Sequence, residues 1–257
     1  MFQSKVVIVT GSSVGIGAAT AVKLAKEGAA GVVIHGRKEN ALKKVKEECE
    51  KASHGRAKVH AVVGDITDGS VREKIIKETI DKFGRLDVLV NNAGVAMVPQ
   101  PTSTAPISIF DDIFQVNVRA VIVLTQLAIP HLIKTKGNIV NISSVAALKS
   151  RNVFTYYNMS KIALDHFSKC LAVELGPKGV RVNSINPGLI ENTDLLASQG
   201  VNKEVLQQGA EMARATYPLG RPGTVEEVAQ LVAFVASGKA SFVTGDILPI
   251  DGGVAVQ

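Results

Sequence analysis

The sequence predicts an α/β protein: one doubly wound parallel sheet of about seven strands, with helices on both faces. Three observations predict it. Short, β-branched, apolar segments alternate with longer amphipathic ones along nearly the whole chain, the pattern of parallel strands joined by right-handed crossovers. The short segments are almost continuously apolar, as strands covered on both faces must be. Finally, Gly11, Asn91, Ser144 and Pro187 each follow such a segment. In sheets of this class ligands bind beyond the carboxyl ends of the strands, near the point where strand order reverses.

Taken in order, Lys5-Val6-Val7-Ile8-Val9-Thr10 reads as the first strand. Further strands are expected at 31–35, 57–63, 87–91, 138–143, 180–186 and 246–250. Helices are expected near 15–28, 39–53, 68–84, 107–134, 155–176 and 224–236. The stretch 189–216 has an irregular, weakly amphipathic pattern. No Pro/Gly/Ser-rich linker, low-complexity tract or internal repeat interrupts the 257 residues, so a single domain over 1–257 is expected. Hydrophobic residues make up 46% of the chain, enough for a large core covered on both sheet faces.

Composition also excludes. The longest apolar runs fall far short of the roughly 20 residues of a membrane span. Residues 5–9 are too brief for a signal-peptide core, and the final Val254-Ala255-Val256-Gln257 matches no retention signal. A soluble, cytoplasmic protein is expected. The net charge of +6 comes from lysines interleaved with acids, as in Lys43-Lys44-Val45-Lys46-Glu47-Glu48, a solvated helix face. With eight Phe, three Tyr and no Trp, no basic-aromatic groove for nucleic acid is legible. Cys49 and Cys170 lie far apart and suit a reducing compartment. The five histidines are scattered as structural or surface residues, and no metal is expected.

Two motifs carry chemistry. After the first strand comes Gly11-Ser12-Ser13-Val14-Gly15-Ile16-Gly17, followed by a plain helix former from Ala18 to Lys26. Glycines at a strand-to-helix turn let the backbone approach a pyrophosphate, which the free N–H groups of the first helical turn then face. That context predicts dinucleotide binding, although the spacing differs from the commoner G-x-G-x-x-G. The second motif is Tyr157-Asn158-Met159-Ser160-Lys161. Residues i and i+4 share one helix face, so phenol and ammonium can serve one site. A phenol holds its proton to about pH 10, and a nearby cation lowers that value.

Thr10-Gly11-x3-Gly15-Ile16-Gly17, Asn91-Asn92-Ala93-Gly94, Ser144, Tyr157-x3-Lys161, Pro187-Gly188 and Asp251-Gly252-Gly253 together resemble the short-chain dehydrogenase/reductase family. The resemblance covers essentially the whole chain and implies a Rossmann-type fold with a nicotinamide cofactor. It implies a catalytic set of Asn117, Ser144, Tyr157 and Lys161: Ser144 orients the substrate oxygen, Tyr157 exchanges the proton, Lys161 tunes the phenol and binds the nicotinamide ribose, and Asn117 holds a water. Cofactor contacts are implied at Gly11, Ser13, Gly15, Ile16, Gly17, Arg37, Asp65, Ile66, Asn92, Ala93, Gly94, Tyr157, Lys161, Pro187, Gly188 and Ile190. Relatives often carry Thr five residues after the proline of Pro187-Gly188. Here that position is Asn192, with Thr193 one later, and which of them meets the carboxamide stays open. The region 189–216 corresponds to a mobile flap over the substrate. A homotetramer is implied, paired through the long helices near 107–134 and 155–176 and the C-terminal strand; the apolar content of those helices fits that pairing and a buried monomer core equally well.

At the second strand's end, Gly36 takes the position where an acid would hold the adenosine ribose, and Arg37 follows. Arginine grips phosphate through two donors, so NADP(H) is favoured over NAD(H). Val14 weighs the other way, because NADP-preferring relatives often have a second basic residue there. Asp65 resembles the family's adenine-contacting aspartate, with loop capping as the alternative.

Substrate is expected against 95–98, 146–148, 153–154 and 189–196, mostly apolar segments with no cation placed for a carboxylate. A hydrophobic ketone or secondary alcohol is therefore expected, with 3-oxoacyl thioesters as the alternative, since Pro218-Leu219-Gly220-Arg221 is similar to acyl-carrier-protein reductases. A catalytically silent nucleotide-binding regulator is the alternative of a different class.

Overall fold

The computed structural model of the chain describes residues 1–96, 99–150, 153–191, 193, 195 and 201–257, without the side chains of Lys203 and Leu206. Seven parallel strands form one sheet: β1 (Val6–Val9), β2 (Gly31–Gly36), β3 (Lys58–Val63), β4 (Val88–Asn91), β5 (Asn138–Ile142), β6 (Arg181–Pro187) and β7 (Ile247–Ile250). Their spatial order is β3-β2-β1-β4-β5-β6-β7. The chain winds outward from β1 to β3, then returns to β4 on the other side of β1. The reversal between β1 and β4 is the switch point that opens a crevice at the carboxyl ends.

Alternation along each strand divides the core. Val7 and Val9 of β1, with Val32 and Ile34 of β2, face α1 (Gly15–Lys26), α2 (Glu39–Ala52) and α8 (Val225–Ala236). Ile8 and Val33 face the opposite layer, α3 (Gly69–Phe83), α5 (Ala120–Thr135) and α6 (Thr155–Leu175). Period-two alternation with both faces buried explains why these strands read as unbroken apolar runs. Helix ends are set locally. Asp68 accepts from Ser70 N before α3, and Gly84 ends it at φ 71°. A capping box joins Thr224 and Glu227 at the start of α8.

Two departures from the sequence reading bear on function. The stretch 107–134 is not one α-helix: α4 (Ile107–Phe114) passes through a π turn, Gln115–Arg119, into α5. The unit Ile107–Thr135 is long and apolar enough by length and composition to cross a membrane, contrary to the expectation from uninterrupted runs. Its stripe of Ala120, Leu124, Ala128 and Leu132 is packed into the sheet's core. Secondly, 189–216 is not irregular throughout, because Lys203–Thr216 forms α7, capped by Asn202 accepting from Val205 N. Residues 192, 194 and 196–200 of the expected flap lie outside the described residues.

Candidate active site

The glycine turn is fixed from beneath. Thr10 Oγ1 accepts from the N–H groups of Asn92 and Ala93, each at 3.0 Å, while Asn92 Nδ2 donates to the carbonyls of Thr10 (2.9 Å) and Gly11 (3.0 Å). The close approach requires glycine. A Cβ on Gly11, whose φ is +63°, would lie 2.7 Å from Ala93 Cα, and one on Gly17 would overlap Asn92 Nδ2 and Gly11 O. Val14 gives α1 no side-chain cap, and its first turn holds no acid. The helix therefore begins with unneutralised N–H dipoles at the switch point, a site matched to a pyrophosphate. Asn92 and Ala93 meet the turn through its own backbone, and Gly94 lies beside Asn117 and Lys161.

His35 completes the support, a role no sequence signal marked. Its Nδ1 accepts from Gly11 N at 3.4 Å and its Nε2 meets Gly64 O at 3.2 Å, which requires the proton on Nε2. Burial pushes its pKa down to about 4, so the ring is neutral at neutral pH. Nearby, a Cβ on Gly36 would overlap Ser13 Oγ. The serine fills the space from which an acidic side chain would start. Arg37 is largely exposed and sits 3.9 Å from Asp65. Asp65 accepts from the backbone N (2.9 Å) and hydroxyl (2.7 Å) of Thr67. Partial burial would raise its pKa, but the Thr67 bonds and Arg37 hold it below the usual value. The side chain thus makes the loop cap that was the alternative reading. Ile66 turns its side chain into the core, leaving its backbone for any ligand.

Asn117, Ser144, Tyr157 and Lys161 gather at the ends of β4 and β5. The π turn aims Asn117 away from its own helix: Oδ1 accepts from Val95 N (2.8 Å), and Nδ2 donates to Val95 O (2.9 Å) and Ser160 Oγ (3.1 Å). Lys161 Nζ donates to Ile142 O at 2.9 Å and lies 5.6 Å from the Tyr157 ring centroid. Burial lowers its pKa to about 8, and Asp165 works against that fall. Ser144 hydrogen-bonds Tyr157, and its Oγ accepts from Ala146 N at 3.1 Å. The adjacent Ser143 is buried and donates to Lys161 O at 3.2 Å, so it does not share the role. Tyr156 packs edge-on against Phe110.

Burial pushes the Tyr157 pKa up to about 12, opposed by the Ser144 hydrogen bond. Loss of water disfavours the phenolate, and here that effect outweighs the hydrogen bond.

Pro187 and Gly188 are backed by the C-terminal segment: Gly188 N donates to Ile250 O at 3.0 Å, and a Cβ on Gly188 would lie 2.9 Å from Asp251 Cα. Ile190 bridges to Gly223. Thr193 donates to Ile190 O at 3.3 Å and borders Gly15; Asn192 lies outside the described residues. Ile109, Ile113, Val153 and Phe154, together with Gln100, Thr102 and Tyr157, line a small cleft. Gln100 N bonds Val153 O, and Thr102 bonds Thr155, tying the loop after β4 to the start of α6. Leu189 packs with Val145 and Tyr217, whose hydroxyl accepts from Leu189 N at 2.9 Å. Leu148 is exposed. Met97, Val98 and Leu196 lie outside the described residues.

A parallel sheet with a glycine turn at its switch point defines a Rossmann-like architecture. A family model described as enoyl-(acyl carrier protein) reductase matches residues 11–255. The chain is 35% identical over 258 residues to 3-oxoacyl-[acyl-carrier-protein] reductase of Thermotoga maritima, covering 99% of each. It is 38% identical over 256 residues to meso-2,3-butanediol dehydrogenase of Serratia marcescens, covering 100% of this chain and 96% of that one. A solved 3-ketoacyl-(acyl-carrier-protein) reductase from Brucella melitensis, complexed with NADH, matches at a TM-score of 0.88 and 32% identity, covering 98% of this chain and 99% of that one. The chain belongs to the short-chain dehydrogenase/reductase family, enzymes that work with NAD(P)(H). It is an oxidoreductase.

Proposed function

We propose that this enzyme is an NADP(H)-dependent carbonyl reductase acting between a hydrophobic ketone and its secondary alcohol, with Tyr157 as the acid/base. The observation that carries the reading is the Ser144–Tyr157 hydrogen bond, with the Lys161 ammonium 5.6 Å from the centre of the same ring. The uncapped α1 turn, with Gly11 and Gly17 admitting no Cβ, would hold the pyrophosphate. Ser13, Gly36 and Arg37 would face the adenosine ribose, and the missing acid favours a 2′-phosphate there. Bound in that crevice, the nicotinamide supplies the hydride.

The chain's own residues do the rest. Ser144 donates to the substrate oxygen, where negative charge develops. Tyr157 delivers the proton to that oxygen. A phenol held at about 12 is protonated at neutral pH, the state a proton donor needs when a carbonyl is reduced. Lys161 is still an ammonium at neutral pH and would face the ribose. Asn117, held by Val95 and Ser160, would carry the link to water.

Reduction of 3-oxoacyl thioesters is the second reading, favoured by the Thermotoga relative and the family model's description. Two separated cysteines, one buried with its thiol pushed up to about 12, suit a reducing, cytoplasmic setting. The test follows nicotinamide absorbance with NADPH or NADH against hydrophobic ketones, diketones and acyl thioesters. NADPH turnover on ketones is expected. NADH turnover alone would overturn the Arg37 argument, thioester turnover alone would favour the second reading, and tight cofactor binding without turnover in either direction would favour a regulatory protein.

A further inference from the structure

Asp165 is a carboxyl that the proposed chemistry leaves unused. It lies on α6 one turn beyond Lys161, on the same inward face, and is 7% exposed. Buried acids at such positions are rare because desolvation of the charge is costly, unless partners compensate. Here Asn186 of β6 donates through Nδ2 to Asp165 Oδ2 at 2.7 Å, and the same nitrogen donates to the Ser144 carbonyl at 2.9 Å. One amide thus ties α6 to the ends of β5 and β6. Asn186 directly precedes Pro187-Gly188, so this amide links the carboxyl to the segments after β5 and β6.

We propose that Asp165 is a positioning residue, which through Asn186 fixes the main chain of Ser144 and places a negative charge one helical turn from Lys161. The inference rests on the reading of Ser144, Tyr157 and Lys161 as the reacting set. Lys161 is faced by Tyr157 and Asp165 from its own helix, by the Ile142 carbonyl from β5, and by the Asn117 amide beside Gly94. Among these, Asp165 bears the one negative charge. Asp165 itself is faced by Lys161, Asn186 and the hydroxyls of Ser143 and Ser184. Burial drives lysine toward the neutral amine and the acid toward the neutral carboxyl, while each charge restrains the other's shift. Without the carboxylate, Lys161 would lose its proton at a lower pH.

Asp165→Asn separates the two roles, because the amide oxygen still accepts from Asn186 while the charge is gone. Its ketone-reduction profile is expected to lose activity on the alkaline side about one pH unit earlier than wild type, the size of a close charge's effect. Asn186→Ala is expected to lower kcat at every pH without moving that limb. A readout independent of turnover is the ¹³Cε resonance of Lys161, assigned by its loss in Lys161→Met, which should titrate about one unit lower in Asp165→Asn. An unchanged Lys161 titration overturns the proposal whatever the activity. A shifted titration in a protein that reduces no carbonyl sustains the charge pairing and overturns the reductase reading instead. Should Asp165→Asn fail to fold, the wild-type Asp165 carboxyl resonance decides: it must show an inflection as Lys161 titrates, and a flat response there ends the proposal.

Discussion

At Tyr157 the proton is held by burial more than it is released by the Ser144 hydrogen bond, and the consequence is testable at one atom. Tyr157→Phe removes the hydroxyl while keeping the ring, so carbonyl reduction should fall at least about a hundredfold. Near-normal turnover in that variant would remove the phenol from the mechanism. His35 offers a second residue-scale prediction. Its unfolded pKa is near 6.5 and its folded value about 4. The unfolded chain therefore binds the extra proton first, so the contribution is complete above pH 6.5 and is lost as pH falls toward 4. The shift corresponds to on the order of 3 kcal/mol. Urea denaturation across that window should show the loss in wild type and a flatter slope in His35→Gln; equal slopes would count against the ring as the titrating group. The i,i+4 spacing of Tyr157 and Lys161 was legible because a helix puts neighbours four residues apart. The partners of His35 lie 24 and 29 residues away, and Asn186 meets Asp165 across 21. Contacts made by tertiary folding leave no periodic trace.

Among the elements, the β1–turn–α1 unit is where sterics and propensity oppose each other. Alanine for glycine inside a helix ordinarily adds about 0.5–1 kcal/mol. At Gly17 the added methyl would overlap both Asn92 Nδ2 and Gly11 O, which hydrogen-bond one another and cannot give way singly. Overpacking costs about 1–3 kcal/mol and should prevail. Gly17→Ala is thus expected to lower the melting temperature and to weaken dinucleotide binding more than tenfold, measured by calorimetry; a stabilised variant with intact binding would show that the turn can relax. All seven strands and most helices were legible, since parallel strands buried on both faces and amphipathic helices have distinct periods. The π turn was not, because Gln115–Arg119 differs from α-helix by one hydrogen-bond step and keeps the same apolar pattern. Helix α7 was missed although its polar and apolar residues segregate at helical period. Its legible signal was the Asn202 cap, followed by Glu204 and a run of helix formers.

For the whole molecule, α6 buries one face in the sheet and exposes apolar side chains on the other. Inward lie Lys161, Leu164, Asp165, Ser168 and Leu171. Outward, Met159, Ile162, His166, Cys170 and Val173 follow one another at three- and four-residue steps, all exposed. Scattered exposed hydrophobics are ordinary, whereas a stripe at helical period is the kind of surface a second helix can pack against. A second copy of this chain is the proposed occupant, since α6 of one protomer would meet α6 of the other across a twofold axis and each stripe would cover its own image. At the far end of the sheet β7 is an edge strand, with Phe242 fully exposed in the loop before it. Sedimentation velocity of the wild type should give a mass above one protomer. The paired change Ile162→Lys and Val173→Lys should reduce it stepwise, because a twofold contact brings like charges face to face. A wild type that sediments as a monomer at micromolar concentration would leave the stripe a surface without a partner copy. An oligomer unaffected by both lysines would move the contact away from α6 and toward the β7 edge.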